Sequence, residues 1–249
     1  MGLYARIVDH DKMHDNFKGK IIYANDFPTN TLEGKERFQR TLYTHYQDAD
    51  AIENSASCEC EAITDAHRMG VVCDICGHPV VSTSNRPIVP SMWLKAPEGV
   101  PRLISPRLII MLSGYMAMKE FNFLEYLIDT SYRFDYAEIV SKETKRKLDK
   151  LLQKDFKRGL NNFIENFDEI FQFLLDSNII NNNKADMNAF IQQNKGRLFP
   201  TVIPVPSKLC FVVESTTSGS YIDKPIAPAI EAVLTFSSIK NNPIPLKLA

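Results

Sequence analysis

The sequence predicts an α+β fold: an irregular, β-rich N-terminal part holding a four-cysteine module, then a mainly helical region, then a short C-terminal β/α segment. Three observations carry that reading. Four of the five cysteines fall between residues 58 and 76. Prolines at 87, 90, 97, 101 and 106 bar helix interior through the stretch that follows. From Ser141 onward apolar residues recur at threes and fours, the pattern of a helix with one buried face.

A chain of 249 residues is long enough for a sizeable core and near the length at which one core becomes two, so one or two domains are expected. Its 29 Lys and Arg balance 30 Asp and Glu, which argues against a whole-surface nucleic-acid binder while leaving room for a local basic patch. The opening "MGLYARIVDHDKMHDNFKGK" is charged throughout and lacks the apolar core of a secretory leader, so a reducing compartment is the expected setting. "RLIIMLSGYMAM" is too short and too closely flanked by charge to cross a bilayer, and no membrane partner is expected.

Five segments follow in order. Residues 1–57 mix β-like runs such as "GKIIYA" with turn formers such as "NDFPTNTLEG", and no long helix is expected there. Residues 58–80 form the cysteine module, and "HPVVSTSNR" reads as a strand and then a turn. Residues 81–140 are a proline-rich connector, ordered by Ile88, Met92, Trp93, Leu94 and Ile104, followed by an apolar helix. Residues 141–196 are helical, with apolar side chains at 148, 151, 152, 156, 160, 163, 164, 167, 170, 171 and 174; Gly159 either separates two helices or is tolerated inside one at a cost of about 1 kcal/mol. An Asn-rich turn then leads to a short helix ending near Gly196. Residues 197–249 open as proline-spaced extended chain, pass through "KLCFVVES", and finish in a helix between Pro228 and Phe236.

The cysteine spacing is C-x-C, twelve residues, then C-x2-C. Two close pairs joined by a loop suit a tetrahedral thiolate site, each pair gripping from its own turn, and four soft sulfurs favour zinc over hard cations. Cys58, Cys60, Cys73 and Cys76 are the expected ligands of one structural Zn2+ with no open coordination position. Gly70 and Gly77 supply the backbone freedom the turns need. Disulfides are disfavoured without signs of secretion. A thioredoxin-like "CDIC" would need a following helix, where Pro79 and "VVST" stand instead. The ligand set by itself also admits an iron–sulfur cluster. His67 and His78 are candidates to replace a cysteine or to support the ligands from outside, with a solvated or hydrogen-bonded histidine the simpler reading of each; His10 and His14 are read as no site, and Cys210 as a buried, inert thiol.

No phosphate-cradling, nucleophile-elbow or zincin motif occurs, and Asp9, Asp11 and Asp15 lack the spacing of a calcium loop, so the chain is not expected to be catalytic alone. Residues 142–158 hold eight Lys or Arg and three acids, whereas residues 160–176 hold four acids and no base. The basic half suits contact with nucleic acid or an acidic partner through Lys145, Arg146, Lys147, Lys154, Lys157 and Arg158. A solvated helix face is the simpler alternative.

The cysteine block resembles the N-terminal zinc-binding region of beta-prime, the largest subunit of multisubunit DNA-dependent RNA polymerases. That family carries a C-x-C pair ahead of "GxxCxxCGxxV", and "CEC" with "MGVVCDICGHPVV" sets Gly70, Gly77 and Val80 in the same frame. "TLEGKERFQRTLYTHYQDADAIENSASCEC" is similar to a divergent form of the segment before it. "SNRPIVPSMWLKAPEGVPRLI" is similar to the one after it, best at Trp93 and Leu94. "FPTVIPVPSKLCFVV" resembles the "VLPVPPxxLRP" strand beyond the clamp helices, with Pro204, Pro206 and Leu209 matching and Cys210 in place of the family arginine.

The resemblance implies a zinc-ribbon-like module, a clamp-like helical region, and a noncatalytic, shortened beta-prime subunit of a split polymerase encoded by a large bacteriophage. Its setting would be the infected host cytoplasm, with the virion as a second location. Partners implied are beta-like and C-terminal beta-prime-like chains, an initiation factor, and DNA or RNA. The catalytic "NADFDGD" is absent, and "YANDFP" with Asn25, Asp26 and Phe27 lacks its three aspartates, so Mg2+ would be held by a partner subunit. Arg68, the one Lys or Arg between the cysteine pairs, is a further candidate contact, although so sparse a charge argues against a strong grip on DNA by the module itself. Competing readings are a zinc-stapled viral structural or assembly protein, and a regulator that mimics a polymerase clamp.

Overall fold

In the computed structural model, residues 6–47, 56–60, 62, 63, 66–82, 88–180, 183–216 and 219–239 are described. The N-terminal stretch departs from the β-rich expectation. After α1 (His10–Asp15), α2 spans Leu32–Leu42, where "NDFPTNTLEG" suggested only turns. Thr31 caps α2, its Oγ1 accepting from the Gly34 N–H at 3.1 Å and donating to the Pro28 carbonyl at 3.0 Å. Helix and Pro28 approach so closely that a Cβ on Gly34 would lie 2.1 Å from the Pro28 oxygen, which requires glycine there. "GKIIYA" forms no strand; Tyr23 makes a single bridge to Trp93.

The chain continues through β1 (Thr44–Gln47), β2 (Ala56–Ser57), β3 (Val81–Ser82) and β4 (Met92–Lys95). The turn expected after β3 lies outside the described residues. Next come α3 (Pro106–Met116), α4 (Phe123–Ile128), α5 (Lys142–Lys154), α6 (Leu160–Glu165), α7 (Phe167–Asp176) and α8 (Lys184–Asn194). The last elements are β5 (Val202–Val205), β6 (Val212–Thr216), β7 (Gly219–Ile222) and α9 (Ala227–Ser238). The α+β class stands, with more helix and less strand than the first 57 residues suggested.

These elements divide into two units. The first comprises residues 6–17 and 96–203 of the described chain and contains α1 and α3–α8. Ser141 Oγ accepts from the Thr144 N–H at 3.2 Å to start α5, and Asp155, left-handed at φ 51°, ends it. Gly159 does break the helical run: its φ of 111° is closed to other residues, and its N–H donates to the Leu127 carbonyl at 2.8 Å. Most of the apolar spacing read from the sequence is the buried face: Leu148, Leu151, Phe163, Phe167, Ile170, Phe171 and Leu174 enter one core, Phe156, Leu160 and Ile164 pack against it partly buried, and Leu152 is exposed. Asp9 caps α1, and Asp11 accepts from the Thr201 N–H and hydroxyl, both at 2.8 Å, so both acids are engaged in holding the chain.

The second unit comprises residues 18–95 and 204–239 of the described chain. β1 runs parallel to β6, Thr44 opposite Val212, and β6 pairs antiparallel with β7, giving the order β1-β6-β7. Phe38 and Leu42 of α2, Val213 of β6, and Ile230 and Val233 of α9 share its core. The cysteine module belongs to this unit and has a small core of its own, Ala56, Cys58, Cys73 and Val80.

Candidate metal centre

Two short antiparallel strands close the base of the module, Ala56 opposite Ser82 and Ser57 opposite Val81, so the chain enters at Cys58 and leaves just past Val80. The first ligand turn is held by the Cys58 N–H donating to the Ile63 carbonyl at 3.0 Å. The Ile63 N–H points back at Cys58 Sγ, 3.4 Å away. The second turn is a tight loop in which the Gly77 N–H donates to the Cys73 carbonyl at 2.8 Å and the Cys73 N–H to the His78 carbonyl at 3.0 Å. Positive φ at Gly70 and Gly77 lets the two arms fold back on each other, with Gly70 and Val80 hydrogen-bonded at 2.9 Å.

The four predicted sulfurs converge. All lie within 4.8 Å of one another, Cys58 and Cys60 at 3.5 Å and Cys60 and Cys73 at 3.7 Å. Sulfurs about 2.3 Å from a central ion at tetrahedral angles would be about 3.8 Å apart, so the spacing suits one ion. A disulfide needs about 2.05 Å, and all five cysteines are free. Four soft thiolates and no other donor in the group match zinc chemistry and leave no site for water.

The electrostatics differ from sulfur to sulfur. Hydrogen bonds from the His78 and Cys60 backbone bring the Cys76 thiol down to about 6. Desolvation would raise Cys58, but the Ile63 amide and the Cys60 and Cys73 thiols outweigh it and lower the group. The Ala62 amide favours a Cys60 thiolate, yet desolvation and the three neighbouring thiols push it up to about 12. Local hydrogen bonds thus favour thiolate at Cys58 and Cys76 and disfavour it at Cys60, where the other sulfurs crowd it.

Cys58 and Cys73 are fully buried, Cys76 half-buried and Cys60 exposed. Cys60, Glu59 and His78 also line a cavity of about 760 Å³ that reaches Arg37 and Arg40 of α2 and Lys208. The sequence shows no sign of this cavity, whose walls are far apart along the chain. It also did not reveal that Glu59 Oε2 and His78 Nδ1 pair at 2.8 Å. The residue types adjacent to the ligands were the available signal.

The structure spreads the predicted cations over different roles. Arg68 is exposed in the 3-10 turn Ala66–Arg68 of the module, beside His67. Lys147 is buried and its Nζ meets Glu143 at 2.8 Å. Arg158 lies 4.3 Å over the Tyr126 ring and donates to the carbonyls of Tyr126, Asp129 and Tyr132. Lys154 pairs with Glu169 at 2.8 Å, and Lys145 lies over the Tyr136 ring at 5.2 Å. Arg146 and Lys157 are exposed.

Cys210 corrects another expectation: it is exposed, because Lys208–Cys210 forms a 3-10 turn and the buried alternation starts only at Phe211 and Val213. Among the described residues, no helix is long and apolar enough to cross a membrane. No family model matches the chain, and no curated protein matches it significantly.

Proposed function

We propose that Cys58, Cys60, Cys73 and Cys76 hold one structural zinc ion, and that the chain serves as a noncatalytic, beta-prime N-terminal-like subunit of a multisubunit DNA-dependent RNA polymerase. The observation that carries the reading is the convergence of four sulfurs within 4.8 Å of one another, in the "CEC…MGVVCDICGHPVV" frame that resembles that family. The ion supplies cross-linking of two turns and no reaction chemistry. Zinc then fixes a zinc-ribbon-like corner, and the helical unit acts as the clamp-like part that meets an initiation factor or another subunit.

Electrostatic contact with DNA or RNA falls in this reading to the exposed Arg146 and Lys157, with Lys145, Lys154 and Arg68 as secondary contributors. Such contacts hold the phosphate backbone and read no bases. Lys147 and Arg158 have internal partners and serve the helices instead. Polymerisation and its Mg2+ belong to a partner chain carrying the three aspartates. The place of action is the cytoplasm of a phage-infected cell.

Affinity purification of the tagged chain from infected cells, with mass spectrometry of the native complex, tests this reading. Larger chains should copurify, one of them containing "DFDGD", together with about one zinc per copy of this chain. Recovery in capsid or tail mass without polymerase activity would replace the proposal with an assembly role. Capture of a host clamp factor alone would replace it with a mimic.

A further inference from the structure

The metal loops carry a second bond between them that does not involve the sulfurs. Glu59 stands between the two ligands of the first pair, and His78 stands two residues beyond the last ligand. Their contact, Oε2 to Nδ1 at 2.8 Å, therefore spans the two ligand turns. His78 is fixed at both ends of this arrangement: its carbonyl takes the Cys73 N–H at 3.0 Å, and its ring lies beside the Cys76 thiol as well as meeting Glu59 at 2.8 Å. The result is a chain running carboxylate, imidazole, thiolate.

We propose that Glu59 and His78 are positioning residues for the metal centre, holding Cys76 in its ligating orientation and shielding the exposed Cys60 edge from solvent-borne chelators. The inference rests on the zinc reading above. An exposed ion pair elsewhere on a surface contributes little to stability. This pair differs by its placement. Cys58 and Cys73 are buried, so the accessible side of the sulfur cluster is the side bearing Cys60, and Glu59 and His78 flank it at the wall of the cavity.

A hydrogen bond to a ligating sulfur draws off part of its negative charge and fixes its direction, and loss of such outer partners typically weakens metal binding by roughly tenfold to a hundredfold. The carboxylate sets which way the ring faces. Removing Glu59 should leave His78 free to rotate away from Cys76, so both substitutions act on the same sulfur.

The test uses full-length wild type, His78→Ala, His78→Gln, Glu59→Ala and Glu59→Gln. Zinc affinity and release rate are read by competition with a chromophoric chelator, and the sulfur environment by the thiolate-to-metal charge-transfer band of the cobalt-loaded protein. His78→Ala should bind zinc roughly tenfold to a hundredfold more weakly, release it faster and shift the cobalt band. His78→Gln, whose amide can still donate to sulfur, should recover part of each effect. Glu59→Ala should shift the band in the same direction as His78→Ala, and Glu59→Gln less.

Wild-type affinity and an unshifted band in both alanine variants would overturn the positioning role while leaving the zinc site intact. A wild-type protein that binds no metal would remove the zinc reading and this inference together. Should His78→Ala fail to fold, the two Glu59 variants decide, since Glu59 is exposed and its replacement opens no cavity.

Discussion

Arg158 and Lys157 are neighbours in a basic run, and the structure gives them opposite tasks. The Arg158 guanidinium donates to three carbonyls at 2.5 to 3.0 Å and rests on the Tyr126 ring, so it joins the end of α4 to the entry of α6. Arg158→Ala should cost about 2–3 kcal/mol of stability, the scale of charge-assisted hydrogen bonds, measured by urea unfolding. Lys157→Ala should change stability by less than about 0.5 kcal/mol, and in the assembled complex should lower the salt dependence of nucleic-acid binding by about one counterion. Equal destabilisation by both would refute this division. A third cation, Lys147, is buried against Glu143, which its ammonium holds below the usual carboxylate value through a hydrogen bond and charge. Because the folded-state value is depressed, this contribution is present above the ordinary Glu value of 4.5 and is lost as pH falls through the lower folded value. Acid unfolding of wild type should therefore show a loss below about pH 4.5 that is reduced in Glu143→Gln.

At the scale of elements, Gly34 shows why α2 was hard to read. The segment "LEGKERFQRTL" contains few apolar residues, of which Phe38 and Leu42 enter the core, and a glycine in its first turn lowers helix propensity. What holds the start of the helix is a tight local turn, the capping hydroxyl of Thr31 and the close approach to Pro28, neither visible as periodicity. Gly34→Ala would raise local helix propensity yet place a methyl 2.1 Å from a backbone oxygen, so it should destabilise the protein by about 1–3 kcal/mol, read as a lower thermal midpoint. A higher midpoint would show that the helix and Pro28 can separate freely. The same contrast explains the rest of the comparison between sequence and structure. α5, α7, α8 and α9 were legible because a buried stripe repeats every three or four residues. The four sulfurs were legible because ligand spacing is local to two turns. The Glu59–His78 bond, the internal role of Arg158 and the exposure of Cys210 depend on neighbours distant in sequence or on a single turn, and no one-dimensional pattern encodes them.

Across the whole molecule, burial is unequally shared, and this determines what a bound ion would support. Among the described residues, the apolar core of the cysteine module is Ala56, Cys58, Cys73 and Val80, with Ile63 and Cys76 packed against them. Fixing the backbone costs about 1–2 kcal/mol per residue, far more than so few side chains can offset. In the zinc reading proposed above, binding of the ion supplies most of the free energy that orders these turns. The helical unit gathers 23 buried side chains into one core, including five phenylalanines in addition to the Leu, Ile and Met residues, and its order does not draw on the sulfurs. Chelation of the full-length protein should accordingly act locally. Amide hydrogen exchange at residues 66–80 should lose protection, and Cys73→Ser should reproduce this without chelator. Protection in α5, α7 and α8 should persist, and the far-UV helical signal should fall only slightly. Loss of helical protection on the same timescale as metal release would mean that the ion stabilises the molecule globally, and would contradict the assignment of these turns as a separately stapled corner.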